Sequence, residues 1–204
     1  IAAISQIARA KELGMTVIVT DHHDILTEDS ETPEGREMLP PADAVVNPKR
    51  RDSLYPFPDI CGGMVAYKLV QVLYEVHKIP REEWLSLLEI AAIATVGDVM
   101  KLQGENRIIV KEGLSRLEHT SNLGLQKLIE KNNLQAGTVT AYHIGFVIGP
   151  CLNASGRLQT AKIALGLLLC EDEAAADRMA EELKALNDQR KDMTQEGIEQ
   201  AAAM

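Results

Sequence analysis

Residues 17–24, Val-Ile-Val-Thr-Asp-His-His-Asp, constrain the fold more than any other part of this chain. The β-branched run at residues 16–19 is typical of a fully buried parallel strand. It stops abruptly at Asp21, His22 and His23. In open α/β sheets the carboxyl ends of strands are where ligands and metals bind. Carboxylate oxygen and imidazole nitrogen suit Mn, Zn or Fe, so the sequence predicts an α/β fold with a metal or substrate site here.

The two adjacent histidines are expected to have different roles. Side chains alternate along an extended segment, so the sequence predicts that His22 and His23 point in roughly opposite directions. One imidazole would then bind a metal while the other contacts substrate. The alternative is a solvated loop after a strand, with His23 hydrogen-bonded to the backbone. The triplet alone leaves both interpretations open.

The composition of the chain excludes several classes of protein. Its 204 residues are 46% hydrophobic and 25% charged, as in globular domains, and the length fits one large domain or two small ones. No apolar run approaches the roughly 20 residues that span a bilayer, and no secretory signal is present. Cys61, Cys151 and Cys170 are odd in number and far apart, which favours a reducing cytoplasm over a disulfide framework. A net charge of −9 argues weakly against non-specific nucleic-acid binding.

Hydrophobic periodicity predicts a first part that contains one helix, two short strands and a long loop, followed by a helical remainder. We expect a helix over 2–13, strands over 16–20 and 44–46, and a loop-rich segment over 24–59. Further helices are predicted over 63–77, 82–96, 106–118, 123–132, 139–148, 160–169 and 173–203. The chain begins on a helix pattern and stops inside a helical run, which favours an internal piece of a longer protein.

Asp98 lies near the end of a nearly uninterrupted apolar segment, residues 88–100. A carboxylate in such a setting is costly unless it is paired, hydrogen-bonded or bound to a metal. The alternative is that Asp98 caps the next helix or turn. Because His22 needs partner ligands, a metal shared by His22 and Asp98 is the favoured interpretation.

Two further segments could bind phosphate. Gly62 and Gly63 open an amphipathic helix and would expose backbone N–H groups to an anion, with close helix packing as the alternative. Residues 149–158 are predicted to form a short turn between helices that carries an amide, a hydroxyl and a guanidinium, those of Asn153, Ser155 and Arg157. The planar fork of Arg157 suits phosphate oxygens, and the alternative is a capped loop with a surface arginine.

With these residues in view, the chain resembles the DHH phosphoesterase superfamily and, within it, the RecJ family of single-strand-specific exonucleases. The segments that carry the resemblance are 17–23, 45–50, 55–63, 94–99 and 149–158. It implies a parallel-sheet α/β domain that is mostly helical after residue 62, and two divalent ions, Mn²⁺ or Mg²⁺. By the family pattern His22 and Asp98 are ligands of one metal and Asp21 supports the motif. His23 would contact the scissile phosphate, while Asn153 and Arg157 match the phosphate-binding loop.

The resemblance also implies a domain organisation. Residues 1–169 would form part of a DHH catalytic domain, and residues 170–204 a long helix connecting it to a DHH-associated domain. The acidic motifs that supply the other ion in the family have no counterpart in residues 1–20. We therefore expect the 204-residue chain alone to lack exonuclease activity and to bind Mn²⁺ weakly at best.

The implied function is 5′→3′ hydrolysis of single-stranded DNA in recombination and repair. Expected partners are single-stranded DNA, a single-strand-binding protein and a helicase, and the expected state is a monomer without membrane association. One alternative is a superfamily phosphoesterase acting on pyrophosphate, short oligonucleotides or cyclic dinucleotides. Another is a degenerate DHH domain that serves as a binding or scaffold module.

Overall fold

The computed structural model describes residues 3–28 and 35–203, and these residues form a mostly helical α/β structure. The two strands are β1 (Ile18–Thr20) and β2 (Ala44–Val46). The helices are α1 (Ile4–Glu12), α2 (Gly62–Val76), α3 (Arg81–Leu85), α4 (Leu88–Gly97), α5 (Gly104–Leu117), α6 (Leu123–Lys131), α7 (Ala141–His143), α8 (Gly149–Leu158), α9 (Lys162–Leu168) and α10 (Glu173–Ala202). A 3₁₀ turn (Ala136–Thr138) precedes α7, and a π-helical turn (Ile144–Ile148) joins α7 to α8. This confirms the predicted fold class, including the long final helix.

The two strands are parallel, and they fix the position of the Asp-His-His segment. Ile18 pairs with Ala44, and Thr20 pairs with Val46. The predicted strand over 16–20 begins two residues late, because the N–H of Val17 donates to the Asp43 carboxylate at 2.7 Å. Both strands run in the same direction, so the residues that follow them emerge at one edge of the sheet.

Residues 1–109 form the first of two compact units, and its core is built around α2. The buried cluster comprises Ile60, Cys61, Met64, Val65, Tyr67, Trp84, Leu88, Ala91 and Ile109. The apolar stripe predicted along α2 is only half buried, since Val72 is 55% exposed and Val76 is 69% exposed. The predicted helix over 82–96 is divided into α3 and α4 around residues 86 and 87.

Residues 110–204 form the second unit. The first half of α10 packs on α6, α8 and α9 through Ala176, Ala180, Leu183 and Leu186. Lys131 of α6 forms ion pairs with Asp177 and Glu181 of α10. Thus the start of the predicted connecting helix packs within this unit. The domain boundary predicted at residue 169 stays a prediction.

The prediction that residues 149–158 form a turn between helices is wrong. They form the helix α8, which continues from α7 through the π turn. Pro150 cannot donate to the carbonyl of Phe146, and a proline ring crowds that carbonyl in a regular helix. The wider π turn directly before Pro150 accommodates this irregularity. Gly149 is required in this turn, because a Cβ there would lie 2.7 Å from the carbonyl oxygen of Ile144.

None of the helices within residues 3–28 and 35–203 combines the length and apolar character needed to cross a membrane.

Candidate metal centre

The Asp-His-His segment forms a tight turn directly after β1. The N–H of Asp21 still donates to the carbonyl of Val46, at 2.9 Å. Beyond it, Oδ1 of Asp21 accepts the N–H groups of His22 (2.7 Å) and His23 (3.2 Å). The backbone therefore leaves the extended conformation, and the alternation rule no longer applies. The prediction that the two imidazoles point in opposite directions is wrong: their ring centroids lie 4.4 Å apart, tilted by 45°.

Asp21 orients His23. Nδ1 of His23 donates to Oδ1 of Asp21 at 2.7 Å, which leaves Nε2 as the outward ring nitrogen of a side chain that is 73% exposed. Burial by itself raises the pKa of Asp21, but the hydrogen bonds from His23 and from the two amides outweigh it, and the pKa lies well below its usual value. Asp21 is thus a carboxylate at neutral pH, and it holds the imidazole by a charge-assisted hydrogen bond.

His22 and Asp98 lie together, as predicted from their chemistry. Nε2 of His22 is 3.6 Å from Oδ2 of Asp98, and the His22 side chain is 17% exposed. Asp98 occupies the C-terminal cap position of α4, and its own N–H donates to the carbonyl of Ala94. Its backbone therefore ends the helix while its carboxylate faces the imidazole. Capping and metal binding are compatible here.

The donor atoms fit a divalent ion. Two atoms that each bind one ion at about 2.1 Å can be at most about 4.2 Å apart. The 3.6 Å between His22 and Asp98 is within that limit. The ligand atoms of Asp21, His22 and His23 lie within 4.8 Å of one another, a wider spread than that limit, so the His22 and Asp98 pair is the better fit to one ion. Imidazole and carboxylate donors in this arrangement suit a Mn²⁺-type ion.

The glycines that begin α2 have two different environments. A Cβ on Gly62 would lie 3.2 Å from Cδ2 of His22, so the N-terminus of α2 approaches the imidazole closely. A Cβ on Gly63 would lie 2.5 Å from Cβ of Ala94, so Gly63 allows α2 to pack against α4. The packing alternative therefore accounts for Gly63, whereas Gly62 belongs to the candidate metal centre. Their predicted contact with phosphate stays a prediction.

Asn47 is a positioning residue that sequence reasoning did not single out. It is 4% exposed, and its amide donates to the carbonyl of His23 at 3.0 Å. Its Oδ1 accepts the N–H of Lys49 at 2.9 Å. Asn47 thereby ties the segment after β2 to the segment after β1. The available signal was an amide placed directly after a second parallel strand, since neighbouring strand ends share one edge of the sheet.

The remaining predicted phosphate ligands lie on α8 in the second unit. Asn153 and Arg157 are exposed, and among the residues that the structure describes Arg157 forms no ion pair. Ser155 is different. It is fully buried, and its Oγ donates to the carbonyl of Leu152 at 3.4 Å. The prediction of Ser155 as a phosphate ligand is therefore corrected, because a helix, unlike a turn, directs it into the interior.

Comparison with known proteins points to one family. Residues 1–95 match the DHH family, N-terminal domain. The chain is 39% identical over its whole length to the single-stranded-DNA-specific exonuclease RecJ of Bacillus subtilis, and spans 24% of that protein. It is 36% identical to RecJ of Salmonella typhimurium, with 96% of this chain and 34% of that protein covered. The chain therefore spans about a quarter to a third of these relatives.

Solved structures show the same likeness. A crystal structure of exonuclease RecJ bound to manganese superposes with a TM-score of 0.80 at 34% identity, covering 97% of this chain and 46% of that one. RecJ from Thermus thermophilus in complex with Mg²⁺ gives a TM-score of 0.73 at 34% identity, covering 92% and 26%. Both neighbours hold divalent metals of the kind that the His22 and Asp98 side chains can bind. The chain therefore belongs to the DHH family, and its residues 1–95 are the part that matches the N-terminal domain of that family.

Proposed function

We propose that this chain supplies metal ligands and phosphate contacts to the active site of a single-stranded-DNA-specific 5′→3′ exonuclease. The observation that carries the proposal is the approach of His22 to Asp98, 3.6 Å apart and contributed by separate elements. Asp98 already ends α4 through its backbone, so the helix cap does not require its carboxylate to face His22. The likeness to RecJ proteins supports single-stranded DNA as the substrate.

In this proposal His22 and Asp98 hold one Mn²⁺ or Mg²⁺ ion. A bound divalent ion lowers the pKa of a coordinated water and stabilises negative charge on a phosphate. His23 directs Nε2 outward and contacts the scissile phosphate, while Asp21 keeps the imidazole in that orientation. The N-terminal amides of α2, beginning at Gly62, contribute a positive helix end beside His22.

Asn153 and Arg157 are proposed to bind phosphate groups of the strand. Both are exposed on the last turns of α8, and the guanidinium of Arg157 can donate two parallel hydrogen bonds to phosphate oxygens. No such role is proposed for Ser155, which is buried.

The test is a nuclease assay on the 204-residue chain and on the full-length gene product that includes it. Each is incubated with Mn²⁺ and a labelled single strand, beside pyrophosphate and a cyclic dinucleotide. We expect the full-length product to release nucleotides from the 5′ end of the strand and the 204-residue chain to be inactive. His22→Ala should abolish release, whereas His119→Ala, an exposed histidine in the second unit, should not.

The other outcomes separate the alternatives. Turnover of only the small substrates would assign the protein to another branch of the superfamily. No turnover by the full-length product would favour a binding module. Robust digestion by the 204-residue chain would contradict its proposed inactivity.

We also propose the protein partners, the oligomeric state and the cellular compartment of this exonuclease. A single-strand-binding protein and a helicase are the expected protein partners, and a monomer is the expected state. The three cysteines are free, and two of them are buried, which supports a reducing cytoplasm. Co-purification from cells and light scattering of the full-length product test these features.

A further inference from the structure

The strongest feature not used by the proposed function is a pair of exposed aromatic side chains. Tyr142 is 63% exposed and Phe146 is 67% exposed. Their rings stack on each other with centroids 4.8 Å apart and an interplanar angle of 29°. The chain has only seven aromatic residues, and the other five are buried or half-buried in the first unit: Tyr55, Phe57, Tyr67, Tyr74 and Trp84. Leaving these two rings in solvent therefore needs an explanation.

The pair lies on the same helical face as the proposed phosphate ligands. Tyr142, Phe146, Pro150, Asn153 and Arg157 follow one another at spacings of four or three residues along continuous helical backbone from α7 through α8. Residues at these spacings share one face. All five are exposed or half-exposed, whereas Ile144, Ile148, Cys151 and Ser155 on the opposite side are buried.

We propose that Tyr142 and Phe146 form a base-stacking platform for single-stranded DNA. The platform would act with Asn153 and Arg157, and this inference rests on the proposed function. A single strand presents bases and phosphates side by side, and the helix face presents aromatic rings and polar phosphate donors side by side. Eleven residues separate Phe146 from Arg157, about 16 Å along a helix axis, which a few nucleotides can bridge. Aromatic side chains bind bases of any sequence because every base has a π-face.

The size of the patch favours a nucleic acid over a protein partner. Two aromatic side chains present at most about 500 Å² of surface. A stable protein interface needs about 800 Å² on each partner. The remainder of this face is Asn153, Arg157 and a proline, which are not the apolar surroundings expected for a buried interface.

The π turn contributes to the arrangement. Residues 144–148 lie between the two ends of the face, and the turn widens the helix where Phe146 projects. The capping box at Thr140, in which the N–H of Thr140 donates to Nδ1 of His143 at 3.1 Å, fixes the start of α7 beside Tyr142. The platform is thus built on continuous helical backbone that contains a π turn and whose start is held by the capping box.

The experiment measures binding of two strands to the full-length gene product. One is a fluorescently labelled strand of ten deoxyadenosines, and the other has the same backbone with abasic sites in place of the bases. Anisotropy is recorded in EDTA, so that no hydrolysis occurs. The variants are Tyr142→Ala, Phe146→Ala and the double variant. Tyr142→Phe keeps the ring, and Leu165→Ala removes a 56%-exposed side chain on α9 as the matched control.

We expect each alanine variant to weaken binding of the deoxyadenosine strand by at least about fivefold, since the loss of one base–aromatic stack corresponds to a range of about five- to 140-fold. Tyr142→Phe and Leu165→Ala should bind within twofold of the unsubstituted protein. The abasic strand should bind equally to all proteins, because its phosphate contacts are unchanged.

Three results would overturn the platform. One is a double variant that binds the deoxyadenosine strand as tightly as the unsubstituted protein does. Another is a variant that loses the same factor of affinity for the deoxyadenosine strand and for the abasic strand. The third is a change in thermal unfolding or molecular mass without a change in binding, since it would show that these rings pack against protein. In all three the proposed nuclease function survives. Absence of binding of either strand to the unsubstituted protein would count against both proposals.

Discussion

Nε2 of His22 lies 3.6 Å from Oδ2 of Asp98, across the space between the end of a strand and the end of a helix. The strand contributes an imidazole that a tight turn has folded back, and α4 contributes a carboxylate at its C-terminal cap. A divalent ion between them would replace a weak pair by two short metal–ligand bonds.

His22→Ala and Asp98→Asn are each expected to weaken Mn²⁺ binding to the full-length gene product by about a hundredfold or more. Each removes a direct ligand, whereas loss of an outer-shell partner alone costs about 10- to 100-fold. Isothermal titration with Mn²⁺ measures the effect. Asp192→Asn, an exposed carboxylate on α10, is the matched control and should leave the affinity unchanged. If Asp98→Asn binds Mn²⁺ normally, Asp98 is not a ligand.

Substitutions at the adjacent glycines Gly62 and Gly63 should have different effects, one on Mn²⁺ affinity and the other on the free energy of unfolding. In Gly62→Ala the new Cβ would be 3.2 Å from Cδ2 of His22, so the imidazole must shift. We expect Mn²⁺ affinity to fall about tenfold, with little change in the free energy of unfolding, as for loss of an orienting contact. In Gly63→Ala the new Cβ would be 2.5 Å from Cβ of Ala94. Overpacking of this kind costs about 1–3 kcal/mol of unfolding free energy.

Titration with Mn²⁺ and urea unfolding of both glycine variants measure these effects. The assignment of Gly62 to the metal centre and Gly63 to packing is contradicted if Gly63→Ala weakens metal binding without loss of stability.

Val99 should be a source of backbone strain next to Asp98. Its φ is 57°, and its side chain is 87% exposed. A β-branched residue in the left-handed region costs about 1–2 kcal/mol, and asparagine tolerates that region better. We expect Val99→Asn to raise the free energy of unfolding by about 1 kcal/mol. For a chain of this length that corresponds to a rise in Tm of about 2–4 °C.

Calorimetry measures the Tm of Val99→Asn. Leu102→Asn, at a 41%-exposed position without positive φ, is the control and should not raise the Tm. An unchanged or lower Tm for Val99→Asn would show that the Val99 side chain stabilises this segment.

Asp188 on α10 predicts a pH dependence of stability. The hydrogen bond from Lys184, at 2.7 Å, and a second one from Lys191 hold the pKa of Asp188 below its usual value. A carboxyl group with a lowered pKa stabilises the folded state above its unfolded pKa of about 3.9, and this contribution is lost as the pH falls. The side chain is 44% exposed, so the contribution at neutral pH is at most about 1 kcal/mol.

We therefore expect Asp188→Asn to lower the free energy of unfolding slightly at pH 7. The difference from the unsubstituted chain should shrink as the pH falls from 7 through the unfolded pKa of about 3.9 and on to about pH 2. Urea unfolding at both pH values measures it, with Asp192→Asn as the control on the same helix. A difference that persists or grows in acid would mean that the amide disturbs helix packing and that charge is not the cause.

The sequence by itself determined which chemistry this chain carries. A β-branched run followed directly by Asp21, His22 and His23 indicates a parallel strand and a site at its carboxyl end, because backbone direction and ligand type are local properties. The apolar segment ending at Asp98 likewise indicates a carboxylate that needs a partner. The helical remainder and the family resemblance follow in the same way from the order of residues along the chain.

Only the tertiary structure decided how these residues meet. Whether His22 and His23 diverge depends on the turn that the Asp21 carboxylate makes with two amides, which alternation along a strand does not describe. Residues 149–158 are rich in turn formers, yet they form a helix because Cys151, Ala154 and Ser155 are buried in the core of the second unit. Burial of that face outweighs local propensity, and it directs Ser155 inward while Asn153 and Arg157 remain exposed.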